Sequence, residues 1–439
     1  MNQYLFKNIT VVNPDQLQCS TTLSNAWVVV RSGRIVYVGT DEIMAHRELG
    51  DQPYETYDGS RRILLPALAN THGHIAMTLL RNQADDLNLQ DWLFQVIFPR
   101  EARLNPEVVK QGTLLGLAEM IRSGTGAAAD MYYFSDAAAE IALQTGFRLN
   151  ICCPGTEADP SGNLLPAPQI LERGVKQYSR HPSGLLRVSL LVHSIYLYDA
   201  AIYPQLADLA LAADCPVQVH IAETHGEVAD CLEKYGCRPP GQLDKFGFFR
   251  TPTLAAHCVY LDDEDRAILS HYNVTAAHNP SSNLKLGSGI ADVPAMLRAG
   301  MKVGLGTDGA ASNNNLDLYR EMRLASYLAK GLSGNAASLP AEAVLNMATV
   351  QGMAGLGFPD SGRIQAGSLA DLQIIDYNRP GMTPLGDPAA ALVYSLEGSW
   401  VESLMVAGKW LMYKHELQTI DEEKVLIEAR QAARYLHDK

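Results

Sequence analysis

The sequence is poor in positive charge. Among 439 residues, 35 are Lys or Arg and 48 are Asp or Glu, so the net charge is −13. A protein that binds polynucleotides or anionic membranes needs clustered cations, which release counterions from phosphates. No such cluster occurs in this sequence. We therefore expect no nucleic-acid partner and no membrane partner.

Long apolar runs are missing as well, and we expect no secretory signal. No run reaches the length of about 18 residues that indicates a membrane helix, and residues 1–12 lack a basic segment followed by an apolar core. The seven cysteines are scattered and have no paired metal-ligand spacings. These absences predict reduced thiols and a cytoplasmic protein.

What the sequence does contain is a central stretch, residues 63–365, in which short apolar runs alternate with helical periods. Strands separated by helices indicate a parallel sheet. Some eight such units over about 300 residues favour an α/β fold with a closed (β/α)8 TIM-type barrel. The predicted strands include residues 126–132, 185–192, 216–221, 253–257, 274–277 and 302–306.

The two ends of the chain show a different pattern, and this pattern is the same at both ends. Short β-rich segments occur near the start, at residues 5–12, 27–31 and 34–38, and near the end, at residues 372–376, 401–406 and 410–413. We expect residues 1–62 and 366–439 to form one small β-sandwich domain, with the barrel inserted between its halves. A final helix is predicted near residues 422–435.

Histidines are concentrated where the predicted barrel strands end. Catalytic groups of this fold gather at that end of the barrel. Six of the twelve histidines fall there, together with Asp308: His72, His74, His193, His220, His257 and His278. Taken singly, each residue has an ordinary explanation, such as a surface loop for His72 and His74, a core position for His220 or a helix cap for Asp308.

Together these side chains indicate a catalytic metal site. Three imidazoles (His72, His74, His220) and the Asp308 carboxylate leave an open position for water. A divalent cation lowers the pKa of bound water from about 15.7 to near 7. Glu223 can then move protons between water and substrate, His257 can orient the water, and Asp308 can deliver a proton to a departing amine.

We expect one divalent metal per subunit. Segment 185–198 contains no lysine for a carbamate bridge between two metals. Zn²⁺ is the default ion, and Fe²⁺ or Mn²⁺ suit the same nitrogen and oxygen ligands.

Several segments resemble the amidohydrolase superfamily, and among its branches the 5'-methylthioadenosine/S-adenosylhomocysteine deaminases, alongside the triazine hydrolases. The resemblance runs over nearly the whole chain. The matching segments are residues 66–81, 84–87, 91–93, 220–224, 256–258, 278–286, 306–314 and 362–372.

The resemblance implies a role for each candidate residue. The metal ligands would be His72, His74, His220 and Asp308, and the catalytic side chains Glu223, His257 and Asp308. Substrate contacts would be Glu101, His193, Glu223 and Trp92, with Glu101 binding ribose hydroxyls. An alternative for Glu101 is a solvated carboxylate at a helix entry.

Three departures from the family pattern stand out. Gly73 replaces the usual Thr, segment 191–196 lacks two prolines, and residues 150–155 and 166–169 offer no arginine. An amino-acid carboxylate would therefore lack a bidentate partner. The resemblance thus implies hydrolytic deamination of an adenine nucleoside, and this departure favours methylthioadenosine over S-adenosylhomocysteine.

Two kinds of alternative stay open. One is an enzyme that acts on another aminated ring, such as guanine, a pterin or an s-triazine. The other is an inactive barrel retained as a binding protein, although this sequence keeps every ligand position and Glu223. A homo-oligomer is compatible with either.

Overall fold

The computed structural model describes residues 3–15, 20–158 and 164–437. Its strands in chain order are β1 (Gln3–Pro14), β2 (Ser20–Arg31), β3 (Arg34–Gly39), β4 (Glu55–Asp58), β5 (Arg62–Pro66), β6 (Leu68–Asn70), β7 (Thr125–Asp130), β8 (Arg148–Pro154), β9 (Thr156–Ala158), β10 (Leu164–Pro166), β11 (Leu186–Val192), β12 (Val217–Ile221), β13 (Thr253–His257), β14 (Val274–His278), β15 (Lys302–Leu305), β16 (Leu372–Asp376), β17 (Val401–Val406), β18 (Lys409–Tyr413) and β19 (Glu416–Leu417).

The α-helices in chain order are α1 (Glu42–Leu49), α2 (Leu89–Asp91), α3 (Phe98–Glu101), α4 (Pro106–Arg122), α5 (Ser135–Thr145), α6 (Pro168–Gly174), α7 (Ile202–Ala212), α8 (His225–Tyr235), α9 (Pro239–Phe246), α10 (Asp263–His271), α11 (Pro280–Lys285), α12 (Val293–Arg298), α13 (Ala310–Asn313), α14 (Leu318–Ser333), α15 (Ala341–Asn346), α16 (Gly352–Gly355), α17 (Pro388–Tyr394) and α18 (Glu422–His437). None of these helices combines the length and apolar character of a membrane span.

Eight parallel strands close into a barrel, which confirms the predicted fold. In chain order they are β6, β7, β8, β11, β12, β13, β14 and β15. Every residue of β12, for example, is buried, because a barrel strand faces the interior on one side and the surrounding helices on the other. The predicted helix after Asn105 is also present. Asn105 accepts a hydrogen bond from the Val108 amide and so caps α4.

The chain ends meet in a separate nine-stranded sheet, as predicted. Its strand order is β19-β18-β17-β16-β5-β1-β2-β3, and β4 pairs with β1. The sheet folds over itself, so that Tyr4 of β1 packs against Trp410 of β18 with ring centroids 5.8 Å apart. The two layers therefore come from one continuous sheet. The exact limits of the two units, at residues 62/63 and 365/366, stay a prediction.

The chain crosses between the two units in an unexpected place. Residues 64–68 form one apolar run just before His72, which by itself is typical of a single buried strand. Instead β5 belongs to the terminal sheet, where Pro66 pairs with Leu372, and only β6 enters the barrel. Residues 63–66 of β5 and all of β6 are buried, so the apolar run continues across the boundary. Hydrophobic periodicity therefore gave no sign of the crossing.

A buried ion pair joins the sheet to the barrel. Arg148 of β8 binds Asp371 through two hydrogen bonds, Nε to Oδ2 at 2.7 Å and a terminal guanidinium nitrogen to Oδ1 at 3.0 Å. Asp371 also accepts from Ser361 Oγ at 2.6 Å and from the Ala407 amide at 2.7 Å. The carboxylate thus receives four hydrogen bonds from separate parts of the chain.

Candidate metal centre

A cavity of about 490 Å³ opens at the carboxyl ends of the barrel strands. His193 follows β11, His220 lies in β12, His257 ends β13, and Asp308 lies three residues beyond β15. All four line the cavity. Strand ends of a parallel barrel converge at one mouth, so residues far apart in sequence come together.

The four predicted metal ligands lie together, and three of them, His74, His220 and Asp308, line the cavity. The ring of His72 is 4.9 Å from the rings of both His74 and His220, measured between centroids. Asp308 Oδ1 is 3.3 Å from Nε2 of His72 and 3.2 Å from Nε2 of His74. Two sets of three donor atoms each lie within 4.8 Å of one another: His72, His74 and Asp308, and His72, His220 and His257.

Backbone carbonyls fix the orientation of two of these imidazoles. Nδ1 of His74 lies 2.6 Å from the Met131 carbonyl, and Nδ1 of His220 lies 2.6 Å from the His193 carbonyl. A carbonyl only accepts, so Nδ1 carries the proton in both rings. The Nε2 lone pairs are then left for a metal ion, as is usual for metal-binding histidines.

Asp308 is oriented by a comparable division of its two oxygens. Oδ1 faces the histidines. Oδ2 accepts hydrogen bonds from Ser282 Oγ at 2.6 Å and from Ser312 Oγ at 2.7 Å. The Asp308 amide also donates to the His72 carbonyl. One oxygen of the carboxylate is therefore held by the protein, and the other stays directed at the cluster.

Burial and the contacts with Asp308 together shift the pKa values of the cluster. It lowers the pKa of His72 to about 4 and keeps the pKa of His220 well below its usual value. For His74, burial acts in the same direction, but contact with Asp308 more than compensates and raises the pKa to about 9. Burial likewise works against the charged form of Asp308, whose pKa His72 and His74 nevertheless hold well below its usual range.

These residues fit a divalent cation. His72 Nε2 is buried and makes no hydrogen bond of acceptable geometry within the described residues. A buried polar atom without a partner calls for an explanation. Imidazole nitrogens together with an ionised carboxylate are the donors that zinc-like ions prefer, and His74 would release its second proton on binding one. An ion bound by this cluster would supply the missing partner.

The two remaining catalytic candidates stand beside the cluster. Oε2 of Glu223 is 3.8 Å from Nε2 of His257. Ser288 Oγ donates to Oε1 of Glu223 at 3.1 Å, and Asn283 Oδ1 accepts from His257 Nδ1 at 2.7 Å. Burial raises the pKa of Glu223, which favours a carboxyl group that carries a proton.

The predicted substrate contacts also reach the cavity. Glu101, Trp92 and His193 line its wall. Glu101 is buried rather than solvated, its Oε1 has no hydrogen-bond partner in the part of the chain that the structure describes, and burial raises its pKa to about 7. His278 is different. It ends β14 and is buried, but it does not line the cavity.

Comparison with known protein families shows which family contains this chain. Residues 63–411 match the model of the Amidohydrolase family. The chain belongs to this family. That stretch includes every residue predicted above as a metal ligand or a catalytic group.

Similar amidohydrolases are known from several bacteria. A "5-methylthioadenosine/S-adenosylhomocysteine deaminase" of Acetivibrio thermocellus is 40% identical over 432 residues, covering 97% of this chain and 99% of the relative. One of the same name from Dictyoglomus thermophilum is 44% identical over 381 residues, covering 86% and 88%. The crystal structure of an adenosine deaminase from Xanthomonas campestris with bound zinc has a TM-score of 0.91 at 33% identity, covering 99% of each chain.

Sequence reasoning missed one carboxylate of this amidohydrolase site. Glu227 lies in the first turn of α8, and its oxygens accept from the Ala222 amide at 2.9 Å and the Glu223 amide at 2.8 Å. These bonds hold Ala222 at a φ of 50°, in the left-handed region. Thr224 at the N-cap of α8 marks a helix start, but no sequence signal shows that Glu227 turns back onto the backbone.

Proposed function

We propose that this amidohydrolase deaminates an adenine nucleoside with a small, apolar 5'-substituent, giving the inosine product and ammonia. The observation that carries the proposal is the distribution of polarity in the cavity. Proton-transfer groups lie on its floor and one buried carboxylate, Glu101, lies on its wall. The names of the relatives at 40% and 44% identity support the adenine nucleoside.

His72, His74, His220 and Asp308 would hold one divalent cation, and Zn²⁺ is proposed because the adenosine deaminase of similar fold contains it. A cation bound there lowers the pKa of water to near 7. His257 orients the attacking water through Nε2, since its Nδ1 proton is committed to Asn283. What remains for Glu223 and Asp308 is the transfer of protons.

Two carboxyl groups carry those protons. Glu223 protonates N1 of the purine as water adds to C6, which avoids a charged ring in the tetrahedral intermediate. Asp308 accepts a proton from the water and passes it to the exocyclic amine, which leaves as ammonia. The hydroxyl group on C6 then gives its proton to Glu223, which forms the C6 carbonyl of the product and restores the acid. The raised pKa of the buried Glu223 suits an acid of this kind.

The 5'-substituent would face an uncharged wall. Tyr133, Phe134, Pro154 and Leu164 line this part of the cavity, and no Lys or Arg of the described residues does so. Residues 159–163 lie outside the described residues and contain no Lys or Arg in sequence. An amino-acid carboxylate would thus be desolvated without a cationic partner. Methylthioadenosine is therefore proposed over S-adenosylhomocysteine.

A substrate panel tests the proposal. We expect release of ammonia and loss of the adenine absorbance with methylthioadenosine, at a kcat/KM at least about tenfold above that with S-adenosylhomocysteine. Dialysis against a chelator should abolish this turnover, and added Zn²⁺ should restore it. Turnover of guanine, a pterin or a triazine in preference to nucleosides would contradict the proposal, as would no turnover of any amine by the zinc-loaded protein.

The role of Glu101 gives a separate prediction. Glu101→Ala removes the acceptor proposed for the ribose hydroxyls, and a hydrogen bond to a charged group is worth about 1.5–3 kcal/mol. We expect KM for methylthioadenosine to rise roughly 10- to 100-fold, with little change in kcat. The matched control is a 2',3'-dideoxy substrate, for which wild type and variant should differ little. An equal loss for both substrates would show that Glu101 does not bind the ribose.

A further inference from the structure

Residues 282–288, here called the 282–288 segment, follow β14 and include the end of α11. We propose that this segment is a single positioning element that orients Asp308, His257 and Glu223 together, and that Lys285 ties it to the loop 82–88 on the substrate side. The proposal rests on the roles given to these three side chains under the proposed function. None of the residues 282–288 is among the predicted ligands, catalytic groups or substrate contacts.

Three side chains of the segment each contact one proton-transfer group. Ser282 Oγ donates to Asp308 Oδ2 at 2.6 Å, Asn283 Oδ1 accepts from His257 Nδ1 at 2.7 Å, and Ser288 Oγ donates to Glu223 Oε1 at 3.1 Å. The three side chains of the segment and their three partners are all buried. In a dry site, such hydrogen bonds restrict rotation strongly. Seven consecutive positions therefore set the orientation of the whole proton-transfer apparatus.

In every case the segment holds the atom that faces away from the reaction. Asp308 keeps Oδ1 free for the histidines, at 3.2 and 3.3 Å. His257 keeps Nε2, and Glu223 keeps Oε2, and these two atoms lie 3.8 Å apart. A random set of polar contacts would not leave the working atom of each of the three side chains free of the segment. This selectivity distinguishes orientation from general packing.

Lys285 connects the segment to its surroundings. An ammonium group has three donors, and here each finds an acceptor. Lys285 Nζ is 2.6 Å from Asp85 Oδ1 and 3.0 Å from the Ala311 carbonyl, and it also donates to Asn314 Oδ1. Asn314 in turn donates to Asn82 Oδ1 at 2.8 Å and to Asp85 Oδ1 at 3.1 Å. The loop 82–88 is thus bound to the segment through a satisfied polar network.

This loop leads directly into the substrate wall. The residues that follow it, Leu89, Trp92 and Leu93, line the cavity, and so does Leu286 of the segment itself. At the other end, Ser281 is held by Glu321, which accepts from the Ser281 amide at 3.1 Å and from its hydroxyl at 2.5 Å. The segment is therefore held at one end by Glu321 and at the other by the loop 82–88, which leads into the cavity wall.

The first test concerns the contacts to the proton-transfer groups. Asn283→Ala and Ser288→Ala should each lower kcat roughly 10- to 100-fold, the usual effect of removing a group that orients a catalytic or metal-binding side chain. KM, the affinity for the inosine product measured by calorimetry, and zinc content should stay close to wild type. The conservative Ser288→Thr, which keeps the hydroxyl, should recover most of the loss. Unchanged kcat, or a parallel loss of zinc and product affinity, would overturn the proposal.

The second test concerns the tie through Lys285. Lys285→Met should lower kcat and also weaken product binding, because it releases the loop as well as the segment. In a Lys285→Met/Asn283→Ala double variant the two losses in kcat should combine to less than their product, since both disturb one unit. Lys110→Met is the matched control, because Lys110 makes an ion pair with Glu140 at 2.6 Å on the outer helices. It should leave kcat unchanged.

Multiplicative losses in the double variant would show that Lys285 does not act through the segment. If Lys285→Met does not fold, Asp85→Asn weakens the same contact with a smaller change in volume. Each variant is compared with wild type on the substrate that wild type turns over best. A wild type that turns over no adenine nucleoside would thus refute the proposed function, whereas normal kcat in the variants would refute only the positioning element.

Discussion

Replacing Glu223 with glutamine is expected to lower kcat by about three orders of magnitude while the metal stays bound. Glutamine has nearly the same shape and can still accept the hydrogen bond from Ser288 at Oε1. It cannot give a proton to the ring nitrogen. Because Glu223 is not among the four predicted metal ligands, the zinc content should not change. Stopped assays of ammonia release and elemental analysis of the same sample measure both quantities.

Glu233→Gln is the matched control for this variant. Glu233 lies on α8, ten residues away, and it is exposed. The same change of chemistry there should have no effect on kcat. A Glu223→Gln enzyme with more than about a tenth of wild-type kcat would remove Glu223 from the role of proton donor.

Replacing Asp371 with alanine is expected to cost about 3–5 kcal/mol of the free energy of unfolding. The change leaves the Arg148 guanidinium buried without its carboxylate, and it removes the acceptor for Ser361 and the Ala407 amide. An uncompensated buried charge is among the most destabilising defects in a folded protein. Denaturant unfolding of the zinc-loaded protein, followed by circular dichroism, measures the loss.

Two variants accompany this measurement. Asp360→Ala removes a surface ion pair with Arg34, whose atoms are 3.6 Å apart and well exposed, and it should cost less than about 1 kcal/mol. An Arg148→Met/Asp371→Leu double variant should be more stable than Asp371→Ala, because no charge is left unpaired. An Asp371→Ala protein as stable as Asp360→Ala would contradict the assignment of this pair as the main polar link between sheet and barrel.

The barrel and the clustering of His72, His74, His220 and Asp308 could be predicted because both have a periodic or positional signature. Alternating strands and helices indicate the fold, and the fold places residues at strand ends in one mouth. His220 and His257 follow from this rule without knowledge of any contact. The crossing from β5 to β6 could not be predicted, since both strands belong to one apolar run that only tertiary pairing divides.

The residues that orient the site were invisible for a different reason. Ser282, Asn283 and Ser288 are small polar residues in a short helix and a turn, where such residues are common for local reasons. Their partners are distant: Asp308 is 26 positions from Ser282, and Glu223 is 65 positions from Ser288. A side chain that acts on another through one hydrogen bond leaves no periodic trace. Similarly, His278 satisfied the strand-end rule without reaching the cavity.

The pairing of β5 with β16 has a consequence for the order in which the protein is made. β5 ends at Pro66, and β16, which pairs with one edge of β5, ends at Asp376. While the ribosome synthesises the residues between them, the β5 edge of the amino-terminal strands stays open, and so does the apolar layer that later receives Trp410. All eight barrel strands emerge during this interval. The nascent barrel can thus assemble beside an unfinished sheet, which the last part of the chain completes.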